Sequence, residues 1–149
     1  MFWDHFGDGP LMDDLKKVIT EKIYDKAIVK LHGIIPNKEV MEHYRTMPVD
    51  LFVNVSSSEG IPVSIMEAQS AGVPVLATDV GGTSEIVNEE NGWLISKDAR
   101  PDEISNILRE IISNRSILSK KRLAAKRNWE ENFNADTNYR EFAKTLTEL

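Results

Sequence analysis

An α/β fold with a Rossmann-like, doubly wound parallel sheet follows from three features of the sequence. Short apolar runs rich in β-branched and aromatic residues alternate with helix-spaced segments, which implies right-handed β-α-β units. Glycine, proline and asparagine fall between those runs, where the chain must turn. From Pro101 onward the apolar residues recur at helical spacing only. In such a sheet the ligand lies at the carboxyl ends of the strands.

The elements follow in order. Met1 to Phe6 is a strand already under way at the first residue, and Gly7-Asp8-Gly9-Pro10 turns it into a helix from Met12 to Ile23, with Leu15, Val18 and Ile19 on one face. Met12 stands where a dinucleotide fingerprint needs its third glycine, which argues against an NAD enzyme. Ala27 to Gly33 is the next strand, and after Ile34-Ile35-Pro36 comes a helix capped by Asn37 and running to Thr46. On residue type alone Ile34 is a core residue, and His32 is a packed, hydrogen-bonded residue with no metal-ligand partner at a known spacing. Asp50 to Val55 is a buried strand, broken by three serines and a glycine. Pro62 suits the start of a helix that stops at Gly72. Val73 to Thr78 is another buried strand, Asp79-Val80-Gly81-Gly82 a turn into a short helix from Thr83, and Trp93 to Ile95 a last strand. Helices follow at 101–112, at 117–133 with Trp129 and Phe133 on one face, and from Ala135 to Leu146.

With 149 residues the chain is long enough for one domain with a sizeable core. Hydrophobic residues at 41% and charged residues at 28% are ordinary for a globular protein, and a net charge of -6 argues against a nucleic-acid binder. The absence of cysteine excludes disulfides and Cys-ligated zinc. No apolar run reaches the ~20 residues that span a bilayer, and a soluble, cytoplasmic protein is expected. Lys120, Lys121, Arg122, Lys126 and Arg127 form a basic cluster on the second late helix, either a solvated face or a patch for anionic headgroups at a membrane periphery.

The chemistry concentrates between Ser58 and Glu67, where two glutamates eight positions apart flank a strand-to-helix turn. Glu59 falls in the loop and Glu67 in the helix. A helix N-terminus offers unpaired N–H groups and a positive dipole end, which suits a diphosphate. Glu67 is placed to accept from the two hydroxyls of a ribose. Ser64-x-x-Glu67 also fits a capping box with no ligand involved. Consecutive glycines at Gly81 and Gly82 allow close backbone approach, and Glu85 is either near a ligand or solvated.

Ser58-Glu59-Gly60-Ile61-Pro62-Val63-Ser64-Ile65-Met66-Glu67-Ala68, then Gly72-Val73-Pro74-Val75-Leu76-Ala77-Thr78 and Gly81-Gly82-Thr83-Ser84-Glu85-Ile86-Val87, resemble the donor-site signature of the retaining, GT-B fold glycosyltransferases of family 4. The resemblance implies that residues 1–149 are part of a C-terminal nucleotide-sugar-binding domain, with 135–149 its closing helix. It implies a UDP or GDP sugar as donor, no cofactor and no metal. Glu59 becomes the catalytic-site residue, positioning the sugar with Gly60 and Ile61. Glu67 holds the ribose, Pro62, Val63 and Ser64 begin the helix under the diphosphate, Ile35 lies against the base, and Gly81 and Gly82 border the phosphates and sugar. Pro62 departs from the glycine common in the family and removes one N–H donor.

The resemblance further implies that one β-α unit ahead of Met1 and a whole acceptor-binding domain, for a glycan or lipid, lie outside this chain. The chain is then cut from a longer protein or is a truncated reading frame, inactive by itself, and no Arg or Lys within it inherits the family's diphosphate contact. In a 3-2-1-4-5-6 strand order the outside strand sits between those at Met1 and Leu51. The alternatives are a non-catalytic nucleotide-binding module, half of a split enzyme, or an epimerase of the same fold whose catalytic residues are not found here.

Overall fold

The computed structural model describes residues 1–23 and 25–148, and it divides into two compact units, Met1–Met47 and Pro48–Leu149. In the first unit β1 (Phe2–Phe6) pairs in parallel with β2 (Ile28–Gly33), with Phe2 opposite Ile28 and His5 opposite Leu31. Helix α1 (Met12–Val18) connects them and continues as a π-helical turn over Ile19–Ile23, so the expected helix to Ile23 is present with a wider final turn. Helix α2 (Asn37–Thr46) follows β2. Pro36, not Asn37, holds its N-cap place and no side chain caps it, because the fixed φ of proline already sets the entry to the helix.

Two ends of this unit are tied by polar contacts. Gly7 N–H donates to Gly33 O at 2.8 Å, joining the turns that follow β1 and β2. His32 Nε2 lies 2.7 Å from Asp4 Oδ1 and its ring stacks on Phe6, with centroids 4.5 Å apart. His43 on α2 packs edge-on against Phe6 and sits 3.8 Å from Asp4 Oδ2. His32 is thus a packed, hydrogen-bonded residue, as its place in a strand predicted. Among the described residues every buried hydrophobic side chain belongs to the second unit.

The second unit holds a parallel sheet in the order β3 (Phe52–Asn54), β4 (Val75–Thr78), β5 (Gly92–Ile95). β4 is buried at all four positions, as a strand covered on both faces must be. Helix α3 (Val63–Ser70) joins β3 to β4, and the one-turn α4 (Thr83–Ile86) leads to β5. Then come α5 (Pro101–Ser113), α6 (Arg115–Asn132) and α7 (Ala135–Thr147). The final position of the expected closing helix, Leu149, falls outside the described residues. Ile65 and Ala68 of α3, Leu76 of β4, Ile86, Ile111 of α5, and Leu118 and Ala125 of α6 make the core.

Much of the basic cluster on α6 has an internal use. Lys121 Nζ donates to Gly92 O at 2.9 Å and to Glu89 O, and lies over the Trp93 ring. Burial lowers its pKa, with Glu110 and Glu89 opposing. Arg122 donates to Val49 O at 2.5 Å, and Lys126 to Ser70 O at 2.9 Å. Helix α6 therefore satisfies carbonyls at the ends of other elements, which neither of the two readings of the cluster anticipated.

Helix α3 ends as its glycine predicted. Gly72 has φ +68°, its N–H donates to Gln69 O at 2.9 Å, and Val73 N–H donates to Ala68 O at 3.0 Å, the paired bonds of a Schellman motif. An L side chain in that conformation costs roughly 1–2 kcal/mol. Gly72→Ala is expected to lower stability by about that amount in a urea melt, and an unchanged midpoint would contradict this account of the helix stop.

Candidate functional site

Glu59 lies in the loop beyond the carboxyl end of β3, and the residues just before it hold its carboxylate. Asn54, the last residue of the strand, accepts from Ser56 N–H at 3.0 Å through Oδ1. That bond fixes which way the amide points, so its Nδ2 faces Glu59 and donates to Oε1 at 3.0 Å. The Ser56 side chain donates to the same carboxylate, and Thr78 Oγ1 of β4 donates to Ser56 O at 2.5 Å. Hydrogen bonds from Ser56 and Asn54 hold the Glu59 pKa below the ordinary value of 4.5, against a smaller opposing effect of burial. Glu59 is thus kept as a carboxylate by the loop it belongs to.

A second loop presses on the first. Gly82 N–H donates to Gly60 O at 2.7 Å. Gly81 has φ +55°, and a Cβ added there would sit 1.9 Å from Glu59 O; one added at Gly82 would sit 2.9 Å from Gly60 O and from Ile61 Cγ1. The close approach that this glycine pair permits is therefore made to the backbone carrying Glu59. Glu85 is exposed, with Oε1 3.2 Å from where a Gly82 Cβ would stand.

Beyond Ile61 the chain enters α3. Pro62 is buried and takes the N-cap place without a side-chain cap, and Val63 opens the helix. Ser64 is accordingly the second helical residue, so the Ser64–Glu67 capping box does not form. Glu67 is half-buried in the same helix; Ile61, Val63 and Ser64 are exposed. Glu59, Gly60, Ile61, Gly81 and Gly82 are brought together in this unit, at the carboxyl ends of β3 and β4 and just ahead of a helix N-terminus. Among the described residues no cluster of His, Asp or Glu has the arrangement to hold a metal.

In the first unit Ile35 lies in the loop after β2, half-buried, and lines an open groove of about 300 Å³ with Phe6, His32, Glu39, Glu42 and His43. Its neighbour Ile34 is 83% exposed, which corrects its reading as a core residue. Ile34 lies in the connection between β2 and α2, past the end of the strand pairing.

Asn54 and Ser56, which set the state of Glu59, were not singled out by the sequence. A signal was there: asparagine at a strand end followed by a serine run marks side chains that bond backbone locally.

The model for glycosyl transferases group 1 matches residues 6–132, and the chain belongs to that family. Its fold is that of the Rossmann-like C-terminal domain of GT-B glycosyltransferases. The amylovoran biosynthesis glycosyltransferase AmsK of Erwinia amylovora is 28% identical over 148 residues, covering 96% of this chain and 36% of the relative. HepE of Anabaena, solved in complex with UDP, superposes with a TM-score of 0.79 at 25% identity, covering 98% of this chain and 40% of that one. The C-terminal domain of the group 1 glycosyl transferase LpcC of Francisella tularensis gives a TM-score of 0.71 at 25% identity, over 84% and 63% of the two chains. This chain spans little more than a third, 36%, of the length of AmsK.

Because the folded pKa of Glu59 is depressed, its hydrogen bonds contribute stability fully above the unfolded value of 4.5. The contribution wanes as pH falls from there and is lost once pH has passed through the folded value. A carboxyl-carbon NMR titration is expected to place the Glu59 midpoint below that of an unfolded glutamate. Asn54→Ala is expected to move it upward, and an unmoved midpoint would remove Asn54 from this role.

Proposed function

We propose that this chain binds the nucleotide-sugar donor of a retaining, family 4-type glycosyl transfer. The observation that carries the reading is the ionised Glu59, held by Asn54 and Ser56 at the carboxyl end of β3 and pressed from behind by the Gly81–Gly82 turn. A preset carboxylate beside a helix N-terminus can hold sugar hydroxyls while the dipole steadies a leaving diphosphate. In this reading the bond from the anomeric carbon to the diphosphate breaks, the nucleoside diphosphate leaves with the electron pair, and the acceptor hydroxyl oxygen bonds that carbon from the same face as its proton passes to the departing diphosphate. Glu59 positions the sugar ring with Gly60 and Ile61. Glu67 takes the ribose hydroxyls, and Pro62, Val63 and Ser64 begin the helix under the diphosphate. Neither metal nor cofactor is required.

The donor is a UDP or GDP hexose, and the UDP complex of HepE supports the first. The acceptor, a glycan or lipid, is taken by a part of the protein outside this chain, and the chain is inactive by itself. We place the protein in the cytoplasm. No helix among the described residues is long and apolar enough to cross a membrane. A peripheral attachment would rest on Lys120 and Arg127, since Lys121, Arg122 and Lys126 bond carbonyls within the unit.

A melt of this chain with excess UDP and with excess GDP tests the reading. One nucleotide at a hundred times its Kd should add about 2.7 kcal/mol. No shift with either would count against a donor site. In the full protein, Glu67→Gln is expected to weaken donor binding by roughly 1.5–3 kcal/mol, the worth of hydrogen bonds to a charged group. Glu59→Ala is expected to lower kcat by more than the loss of its hydrogen bonds lowers stability; a mutant that melts early yet keeps its rate would exclude Glu59 from the transfer step.

A further inference from the structure

Gln69 of α3 is polar and fully buried, in a helix whose other inward residues are apolar. Burying an amide costs free energy unless every polar atom finds a partner. Here each does. Gln69 Nε2 donates to Ile86 O at 3.3 Å, and Gln69 Oε1 accepts from Asn128 Nδ2 of α6 at 2.8 Å. Asn128 Nδ2 also reaches Ile86 O at 3.1 Å, and the buried Asn91 donates to that same oxygen at 3.0 Å. Three side-chain amides from three parts of the chain converge on one carbonyl.

That carbonyl ends α4. A helix of one turn does not hold itself together, because nucleation fixes several residues for one hydrogen bond. Its position is set from outside, at both ends. The C-terminal end is held by the three amides. The N-terminal end is the Gly81–Gly82 turn, whose Gly82 N–H bonds Gly60 O and whose Gly81 leaves no room for a Cβ against Glu59 O. Apolar packing alone tolerates sliding, whereas hydrogen bonds at a common acceptor fix height and rotation.

We propose that Gln69 and Asn128 are positioning residues for Glu59: through the Ile86 carbonyl they set α4, and through α4 they seat the Gly81–Gly82 turn on the Glu59–Gly60 backbone. The proposal deepens the donor-site reading and rests on it for its effect on turnover, but the mechanical link stands by itself. Gln69→Met keeps side-chain length and removes both polar atoms. Asn128→Ala removes the outer amide and leaves the Gln69–Ile86 bond.

The test measures both variants in the full protein by amide hydrogen exchange and steady-state kinetics, with Ile111→Val as a control that lightens the core elsewhere. Exchange at the Gly82 amide is expected to speed up at least about tenfold relative to the amides of β4. With the donor found by the melts, kcat is expected to fall roughly tenfold while donor KM stays within about twofold, since a displaced group costs rate more than binding. The control should move neither quantity. Unchanged protection at Gly82, or equal acceleration at Gly82 and throughout β4, would overturn the proposal, the second by showing a merely structural role. Should Gln69→Met not fold, Asn128→Ala decides. Should the parent protein turn over no nucleotide sugar, the donor reading falls, while exchange at Gly82 still judges this one.

Discussion

The 2.7 Å hydrogen bond from Gly82 N–H to Gly60 O, with Gly81 close against Glu59 O, is the contact on which the loops beyond β3 and β4 depend. Two loops from neighbouring strands meet there backbone to backbone, and no side chain stands between them. Such contact is possible only without a Cβ at either glycine. It turns two surface loops, ordinarily the most mobile parts of a domain, into a single body at the carboxyl ends of β3 and β4.

The rest of the unit keeps that body in place. β4 is buried on both faces and supplies Thr78, whose hydroxyl bonds Ser56 O beside Glu59. Helix α6 lies behind and offers side-chain cations and amides to carbonyls that would otherwise end unpaired. Arg122, Lys126 and Lys121 bond carbonyls near the starts or ends of strands and helices, and Asn128 bonds one at the end of α4. Carbonyls shielded from water gain most from charged or amide donors, and the contacts order the ends they bond at a desolvation cost that shows in the lowered pKa of Lys121.

The electrostatics of Glu59 come from the same economy of short contacts. The Ser56 hydroxyl and the Asn54 amide both donate to the Glu59 carboxylate, and the bond that the Asn54 oxygen accepts from Ser56 N–H orients that amide. Both bonds favour the ionised form of Glu59, with burial opposing more weakly. The first unit is organised differently, around an aspartate shared by two imidazoles and wedged by Phe6, with its hydrophobic residues only partly covered.

Whatever depends on short stretches of chain was legible in the sequence. The strand at Val75 reads from its apolar run, the end of α3 from Gly72, the start of α5 from Pro101, and the loop place of Glu59 from its serines and glycine. Turn chemistry and periodicity act within a few residues, so one sequence contains them. The tertiary structure alone decided what those pieces touch. Gly81 and Gly82 read as glycines that allow close backbone approach, and only the fold shows that the Glu59–Gly60 backbone is what they approach. Ile34 reads as core from its side chain and is exposed, because it falls in the connection past the end of β2. The basic residues of α6 read as a surface patch, yet three of them bond carbonyls from other elements. Gln69 and Asn128 stand 59 positions apart, and Asn128 and Ile86 stand 42 apart. Partners at such separations are chosen by packing in three dimensions, and no local pattern in the chain announces them.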